Sequence, residues 1–322
     1  MIFLSETDVK KYITMGEAID AMESAFVQLA NQRVALPLRT AISIKNEQAV
    51  SLSMPAYLEQ AQQLGIKVVS LFPKNSSQKI PTINGVILLL NATTGQPKAF
   101  MDGTYLTALR TGALSGLATR LLARDDASHV AIIGSGAQAM TQLEAVAHVR
   151  NIKRVSIWSR THEHAIAFAK QIEHQFETQV FTDITQAVVE ADIICTATQS
   201  TEPLIHYKDL KPDVHINAIG SHSKVMREIA PDVFKHAITV VDQVEAALSE
   251  AGEIINAIES KIIKVQSLLE IGSIVIKPLP NLKEHLTVFK SVGLAIQDIS
   301  VAEMVYKNAM ANQIGSAFDL SQ

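Results

Sequence analysis

Hydrophobic and polar residues follow two different periods between residues 130 and 241. Short apolar runs rich in β-branched residues predict strands at 129–133, 154–158, 179–182, 192–197, 215–219 and 238–241. Apolar residues at helical spacing lie between several of these runs, most clearly at 163–176 and 184–190. Because strands that alternate with helices usually form a parallel sheet covered on both faces, this region is predicted to be a Rossmann-type, doubly wound α/β domain.

The first part of the chain has a different pattern. Residues 15–32 and 106–122 have the spacing of helices. Between them, alternating segments predict strands at 40–44, 49–53, 65–72 and 85–91, and a hairpin-type turn follows at 91–96. Short strands beside long helices predict an α+β domain. The last segment, 291–316, is again helical, and we expect it to return to this first domain.

Length and composition allow two domains and argue against several classes of protein. We expect residues 1–118 and 300–322 to form the α+β domain and residues 119–299 to form the Rossmann domain. A formal net charge of −4 gives no support for binding to nucleic acid or to an anionic membrane. No apolar run approaches the length of a membrane span, and we expect no signal peptide.

Cysteine and histidine usage favours a cytoplasmic protein without a metal site. The single cysteine, Cys195, leaves no intramolecular disulfide, which suits a reducing compartment. Its apolar surroundings predict a buried thiol rather than a nucleophile. The ten histidines lack metal-ligand spacing, so no metal site is expected.

A glycine-rich turn follows the first strand of the predicted Rossmann domain. The apolar run at 130–133 ends in Gly134-Ser135-Gly136-Ala137-Gln138-Ala139, and helical spacing begins at once. Gly134 permits the tight turn, and Gly136 lets the backbone approach a pyrophosphate. The first N–H groups of the helix can then bind the phosphate oxygens. The order of strand, turn and helix predicts a dinucleotide site.

The end of the next strand bears on which nicotinamide cofactor is used. An NAD site usually places Asp or Glu here to bind the ribose 2′-hydroxyl. This strand instead ends in Ser159-Arg160-Thr161. Arg160 suits a 2′-phosphate, and the two hydroxyls can add donors. Alternatively, Arg160 is a solvated surface residue and Thr161 only caps a helix. We expect NADPH, with NADH less favoured.

Three cations of the first domain lie among apolar or small residues: Arg39, Lys67 and Arg110. Because burying an unpaired cation is costly, such residues generally meet an anion. The strand alternation around Lys67, taken alone, favours a place on the polar face. Arg110 has no acidic residue three or four positions away, so its partner must come from another segment or from a ligand.

Together these motifs resemble the ornithine cyclodeaminase/mu-crystallin family, over nearly the whole chain and in order. Further matching runs are Phe72-Pro-Lys-Asn, Pro81-Thr82, Thr196-Ala-Thr198, Asn217-Ala-Ile-Gly220-Ser221, Glu250-Ala-Gly252-Glu and Phe289-Lys-Ser291-Val292-Gly293. The resemblance implies a homodimer whose first domain makes the subunit contact and whose Rossmann domain holds the nicotinamide cofactor. The family includes cyclodeaminases, alanine dehydrogenases, cyclic ketimine reductases and a thyroid-hormone-binding crystallin.

The resemblance also implies roles for single residues. Arg39, Lys67 and Arg110 would bind the substrate carboxylate, which would give Arg110 a partner, and Val292 would contact the substrate. Lys67 is also a candidate catalytic proton donor, with His222 and a bound water as alternatives. The cofactor contacts would be Thr82, Thr111, Ala137, Gln138, Thr198, Ser221 and Ser291, together with Gly134, Ser135, Gly136, Ser159, Arg160 and Thr161 from the two strand ends.

One position departs from the cyclodeaminase members of the family, which have an aspartate where this chain has His222. A neutral imidazole cannot offer the same charge to a substrate ammonium. Those members also use NAD with an acidic second strand end, where this chain has Arg160. Both differences favour the family's cyclic ketimine reductases, which reduce Δ1-pyrroline-2-carboxylate or Δ1-piperideine-2-carboxylate to L-proline or L-pipecolate with NADPH.

Three alternatives stay open at this point. The first is an alanine-type amino-acid dehydrogenase, and the second is an ornithine cyclodeaminase despite His222. The third is a non-catalytic, crystallin-type ligand-binding protein, against which the presence of all three cations argues.

Overall fold

The computed structural model describes residues 1–78 and 80–319, and the chain divides into two compact units. The first unit consists of Met1–Arg110 and the segment that starts at Leu294, and the second unit is Thr111–Gly293. The predicted boundaries at 118/119 and 299/300 both fall inside long helices, Thr104–Leu122 and Ala295–Ala311.

The strands and helices of the first unit alternate irregularly along the chain. Its strands are β1 (Ile2–Leu4), β2 (Val34–Ala35), β3 (Thr40–Ile44), β4 (Ala49–Leu58), β5 (Gln63–Leu71), β6 (Ile83–Asn91), β7 (Pro97–Asp102) and β16 (Ser316–Ala317). Its helices are α1 (Glu6–Lys11), α2 (Met15–Ala30) and α11 (Ala295–Ala311), and α3 (Thr104–Leu122) begins in it.

One mixed sheet forms the centre of the first unit. Its strand order is β16-β1-β7-β6-β5-β4-β2, and β3 also pairs with β4. The predicted hairpin turn joins β6 to β7, and Gly95 adopts a φ of 75° there. Helix α11 packs on α2 and on β4, β5 and β6, so the last helix returns to this sheet as expected.

Glycine at position 65 lets α11 lie close to the sheet. A Cβ at Gly65 would stand 2.8 Å from Ile299 Cδ1 on α11 and 2.7 Å from the carbonyl oxygen of Leu88. Along β5, Gly65, Lys67 and Val69 share the buried face, and Val68 is exposed. The interpretation that Lys67 lies on the polar face of its strand is therefore wrong.

The second unit alternates strands and helices regularly. Its strands are β8 (His129–Ile133), β9 (Arg154–Trp158), β10 (Glu177–Phe181), β11 (Ile193–Thr196), β12 (His215–Ala218), β13 (Ile238–Val241), β14 (Leu269–Glu270) and β15 (Thr287–Lys290). Its helices are α4 (Ala139–Val149), α5 (His162–Ile172), α6 (Ile184–Val188), α7 (Pro231–His236), α8 (Val244–Glu250), α9 (Gly252–Glu259) and α10 (Ile271–Ile276).

All neighbouring strands of this second sheet are parallel, in the order β10-β9-β8-β11-β12-β15-β13-β14. The order reverses between β8 and β11, which makes this the switch point where a doubly wound sheet binds its ligand. The predicted Rossmann fold is confirmed. Val130, Ile132, Leu143, Val146 and Ile157 belong to the core of buried apolar residues around β8, β9 and α4.

The sequence pattern placed the start of the last helix too early. Residues 291–316 were expected to be helical throughout, but β15 ends at Lys290 and α11 starts only at Ala295. Backbone N–H groups of Val292 and Gly293 donate to Asp242, and Gly293 has a φ of 85°. These bonds and this conformation hold residues 291–294 outside the helix.

Within residues 1–78 and 80–319, no helix is long and apolar enough to span a membrane. The same part of the chain contains no cluster of three or more His, Cys, Asp or Glu side chains arranged to hold a metal ion. Cys195 is buried on β11, and burial raises the pKa of its thiol to about 12. The expectation of a buried core thiol is therefore confirmed.

Candidate active site

Two of the three predicted cations meet at a buried carboxylate in the first unit. Lys67 Nζ on β5 lies 2.7 Å from Asp298 Oδ2 on α11, and their side chains are 1% and 0% exposed. Arg110 Nε on α3 donates to Asp298 Oδ1 at 3.0 Å, and its Nη1 donates to Gln297 Oε1. The partner of Arg110 thus comes from another segment of the chain.

Arg39 acts on this group through its charge. It is half-buried in the segment between β2 and β3, and its charge lowers the pKa of Lys67. We call Arg39, Lys67, Arg110 and Asp298 the cation cluster. With Lys67 protonated, Lys67 and Arg110 bring two positive charges to the single carboxylate of Asp298, so the buried group keeps a net positive charge that favours a further anion.

Opposing effects of burial and of neighbouring charges set the pKa of Lys67. Burial lowers its pKa most, and the charges of Arg110 and Arg39 lower it further, whereas Asp298 raises it. The result is a pKa of about 8 instead of the usual 10.5. Lys67 therefore changes charge close to physiological pH, which suits a group that gives up or takes up a proton.

Asp298 and Gln297 were not among the predicted site residues. The sequence did contain a signal, because Asp298 lies three residues after Ala295 and four before Ala302 in an apolar helix. This spacing places the carboxylate on the buried face of that helix. An unexplained acid on a core face could have been matched with Arg110, which lacked a partner.

The glycine turn of the second unit fits a dinucleotide pyrophosphate. Gly134 has a φ of 99°, and a Cβ there would stand 2.7 Å from the carbonyl oxygen of Ala197 at the switch point. A Cβ on Gly136 would meet no atom within 4 Å, so the space above this glycine is open. The exposed backbone at Gly136 and Ala137, just before α4, is what a phosphate group needs.

Most of the predicted cofactor and substrate contacts lie beyond the carboxyl ends of the strands in the parallel sheet. This edge is where doubly wound sheets bind ligands. They follow β8 (Gly134, Ser135, Gly136, Ala137, Gln138), β9 (Ser159, Arg160, Thr161), β11 (Thr198), β12 (Ser221, His222) and β15 (Ser291, Val292). Within the described chain, no group donates to the buried Oε1 of Gln138.

Thr82 and Thr111 belong to other parts of the structure. Thr82 lies in the first unit, where its carbonyl oxygen accepts from Phe72 N at 2.8 Å beside the β5–β6 connection. Thr111 is half-buried on α3, at the first position of the second unit. Their predicted role as cofactor contacts stays a prediction.

The strand end after β9 presents the predicted 2′-phosphate residues to solvent. Arg160 and Thr161 are exposed, and Ser159 is half-buried. Thr161 occupies the N-cap position of α5, but its side chain makes no capping bond. The alternative interpretation, in which Thr161 serves only to cap the helix, therefore lacks the hydrogen bond on which it depends.

A buried carboxylate that the sequence analysis missed ties together the ends of β11 and β12. Glu228 accepts from the backbone N–H of Thr198 at 2.6 Å and of Gly220 at 2.8 Å, and from Thr196 Oγ1 at 2.9 Å. Burial, followed by the nearby charge of Glu253, raises the pKa of Glu228. Since Glu228 bonds Thr198, it positions a predicted cofactor contact without needing to touch the cofactor.

Two further buried residues, Glu253 and Lys290, hold Glu228 and the loop after β12 in place. Glu253 Oε2 accepts from Glu228 N at 2.7 Å, and its Oε1 lies 3.0 Å from Lys290 Nζ. Lys290 in turn donates to the backbone oxygen of Ser221. Glu253 belongs to the Glu250-Ala-Gly252-Glu run that carried the family resemblance, so that run has a structural explanation.

His222, which stands in place of the cyclodeaminase aspartate, is partly fixed by its own loop. Its Nδ1 lies 2.9 Å from the carbonyl oxygen of Gly220. A carbonyl only accepts, so Nδ1 carries the proton, and in the neutral ring the lone pair resides on Nε2. The side chain cannot provide the fixed negative charge that an aspartate would supply.

Comparisons with known proteins place these features in a family. The sequence pattern of the ornithine cyclodeaminase/mu-crystallin family matches residues 1–313. The chain is 38% identical over 325 residues to a Δ(1)-pyrroline-2-carboxylate reductase of Bacillus cereus, covering 99% of this chain and 100% of the relative.

Solved structures agree with this relationship. Δ(1)-Pyrroline-2-carboxylate reductase of Thermococcus litoralis, in complex with NADH and L-proline, matches with a TM-score of 0.95 and 37% identity, over 99% of this chain and 100% of that one. An archaeal alanine dehydrogenase dimer with bound NAD matches with a TM-score of 0.93 and 33% identity, over 99% of both chains.

The similarity extends over both units and over the full length of the relatives. It confirms the predicted enzyme class, a nicotinamide-dependent oxidoreductase, since each of these relatives is a reductase or a dehydrogenase. The chain therefore belongs to the ornithine cyclodeaminase/mu-crystallin family, as its motifs predict.

Proposed function

We propose that this protein reduces a small cyclic 2-imino acid with NADPH. The substrates are Δ1-pyrroline-2-carboxylate, Δ1-piperideine-2-carboxylate or both, and the products are L-proline and L-pipecolate. The observation that carries the proposal is the surplus of positive charge in the cation cluster, where Lys67 and Arg110 share one buried carboxylate. A substrate carboxylate supplies the missing negative charge.

The residues of the chain perform three tasks in this reaction. Arg39, Lys67 and Arg110 bind the carboxylate and so fix the orientation of the ring. Val292 contacts the substrate, and a proton donor serves the imine nitrogen. Lys67 is our candidate donor because its pKa of about 8 makes the proton available near neutral pH. The nicotinamide cofactor, when bound, supplies the hydride for the imine carbon.

We propose NADPH rather than NADH because of the residues that follow β9. Arg160 is exposed there, and residues 159–161 contain no acid to bind a ribose 2′-hydroxyl. The Thermococcus litoralis relative was solved with NADH. The rates of NADPH and NADH oxidation by this chain test the preference.

A second candidate, an amino-acid dehydrogenase acting on a 2-oxo acid and ammonia, is favoured by the 33% identity to the archaeal alanine dehydrogenase. The cation cluster would serve either substrate, because both present a carboxylate next to the reacting carbon. An ornithine cyclodeaminase is less favoured because His222 replaces the aspartate. A crystallin-type storage protein would not need Arg39, Lys67 and Arg110 together.

We also propose a homodimer formed through the first unit. Val68 on β5 is paired with Val86 on β6, and both are exposed on the same face of the sheet. Ile42 on β3 lies on this face as well and is 61% exposed. Exposed apolar residues on one sheet face are typical of a subunit contact. Sedimentation of the purified protein and of an Ile42→Glu variant tests this proposal, since the variant should dissociate.

The deciding experiment measures NADPH and NADH oxidation by the purified protein with each cyclic imine. Rapid turnover that prefers NADPH supports the proposal. Faster turnover with pyruvate and ammonia would replace it by the dehydrogenase. Release of ammonia from ornithine without added oxidant would identify a cyclodeaminase, and the absence of every activity would leave ligand binding.

A further inference from the structure

We propose that Asp298 is a positioning residue for the substrate-carboxylate site, where its negative charge holds Lys67 and Arg110 in place. This inference rests on the proposed imino-acid reduction and deepens it. In the proposal Asp298 acts through the two cations, which themselves contact the substrate.

Each carboxylate oxygen of Asp298 contacts a cation on a different element of the first unit. Oδ1 accepts from Arg110 Nε at 3.0 Å, and Oδ2 lies 2.7 Å from Lys67 Nζ. Gln297, the preceding residue on α11, accepts from a second guanidinium nitrogen of Arg110. Two adjacent residues of α11 thus fix the plane of the guanidinium, and one of them also fixes the ammonium.

The charges explain why an acid is needed at this place. Lys67, Arg110 and Asp298 are all buried, and Arg39 adds a third positive charge. Without Asp298, like charges would face one another away from water, which is strongly unfavourable. The cations would then separate, or Lys67 would lose its proton, and either change would impair carboxylate binding.

The charged groups around Lys67 determine the direction in which its pKa moves when Asp298 is replaced. Burial, Arg110 and Arg39 all lower its pKa, and Asp298 is the carboxylate that raises it. Replacing Asp298 with a neutral residue removes that opposing effect, so the pKa of Lys67 should fall below its present value of about 8. A larger fraction of the lysine would then be uncharged at neutral pH.

Asp298→Asn is the test, and Glu303→Gln is its matched control. Glu303 also lies on α11, is buried, and pairs with a lysine, with Lys98 Nζ 2.6 Å from its Oε1. For Asp298→Asn we expect KM for the cyclic imine to rise about tenfold or more, and the alkaline limb of kcat/KM to move down by about one pH unit. Glu303→Gln should change neither quantity.

A measurement without substrate separates this inference from the proposed function. In protein labelled with ¹³C-lysine, a Lys67→Arg variant assigns the Lys67 resonance, and its titration is followed with and without Asp298→Asn. The midpoint should be lower in the variant. If the wild type reduces no imine, the proposed function fails, but the titration still decides the role of Asp298.

Binding of NADPH and the thermal melting curve report whether each variant is folded. If Asp298→Asn does not fold, Asp298→Glu takes its place, because it keeps the charge and displaces the carboxylate by one methylene. A raised KM with an unmoved alkaline limb in that variant supports positioning. An unmoved Lys67 titration in Asp298→Asn, or a wild-type KM in Asp298→Glu, would overturn the proposal.

Discussion

The hydroxyl of Ser291 donates to Asp242 Oδ2 at 2.9 Å. The same oxygen accepts the backbone N–H of Val292 at 2.9 Å and of Gly293 at 3.0 Å. Because Asp242 follows β13 and Ser291 follows β15, one buried carboxylate joins the ends of two neighbouring strands. It fixes the segment that carries a predicted cofactor contact and a predicted substrate contact.

Asp242→Asn should therefore destabilise the protein. An asparagine can place its amide oxygen where Oδ2 lies, but its NH2 group then faces the backbone N–H of Gln243, which donates to Oδ1 at 2.9 Å. We therefore expect the free energy of unfolding to fall by about 2–4 kcal/mol. Urea unfolding followed by the fluorescence of Trp158, the single tryptophan, measures the change.

Asp126→Asn is the matched control for this prediction. Asp126 is 77% exposed and pairs with Arg124 at 2.9 Å, so its replacement should cost less than about 1 kcal/mol. Equal unfolding midpoints for the two variants would show that the Asp242 network adds little to stability.

The Rossmann half of the molecule was predictable because its signals are local. Strand β8, the glycine turn and helix α4 follow one another within a short stretch, and each has a pattern of its own. Errors arose where a distant residue decides the local structure. Apolar spacing predicted a helix for residues 291–294, but Asp242, far away in sequence, accepts N–H groups of this segment and holds it outside the helix.

The candidate site was predicted only in part for the same reason. Arg110 and Asp298 are 188 residues apart, and periodicity within either helix cannot pair them. Strand alternation around Lys67 favoured the polar face of the sheet. In the structure Lys67 Nζ lies 2.7 Å from the buried carboxylate of Asp298, and this ion pair offsets the cost of burying the lysine. The family resemblance grouped Lys67 and Arg110, and the structure places them at one carboxylate, but the resemblance gave the substrate and not Asp298 as their partner.

The two glycines of the fingerprint should respond differently to alanine. Gly134→Ala should lower the melting temperature, because a residue with a φ of 99° would place its Cβ 2.7 Å from Ala197 O. Gly136→Ala has open space around its Cβ and should melt like the wild type. Its affinity for NADPH should nevertheless fall about tenfold or more, because the methyl group would meet the pyrophosphate.

Thermal melting and fluorescence titration with NADPH measure the two effects separately. Wild-type affinity in Gly136→Ala would mean that the phosphates do not approach this glycine, and the fingerprint would then need another explanation.

Arg160→Glu should shift the cofactor preference from NADPH towards NADH. The carboxylate would repel a 2′-phosphate and could accept from a ribose 2′-hydroxyl, so we expect the ratio of kcat/KM values for the two cofactors to change about a hundredfold. Arg154→Glu is the control, because this exposed arginine begins the same strand that Arg160 follows. It alters the net charge equally, at the amino end of β9. An unchanged ratio in Arg160→Glu would remove the 2′-phosphate assignment.

The pH dependence of the reaction should report the charge of Lys67. Its pKa is lowered to about 8, chiefly by burial, so the ammonium form predominates below this pH and is lost above it. If reduction requires the ammonium, kcat/KM for the cyclic imine should fall about tenfold per pH unit above pH 8. A steady-state profile from pH 6 to pH 10, at saturating NADPH, measures this limb.

Lys67→Arg distinguishes the two tasks proposed for the lysine. A guanidinium stays charged throughout this range and cannot serve as a proton donor. If Lys67 only binds the carboxylate, the variant should keep measurable turnover, and the alkaline limb should disappear. If Lys67 also donates the proton, kcat should fall by about a hundredfold or more while the KM for the imine changes little. An alkaline limb that persists at the same pH in an active Lys67→Arg would assign it to another group, and His222→Gln would then be the variant to measure.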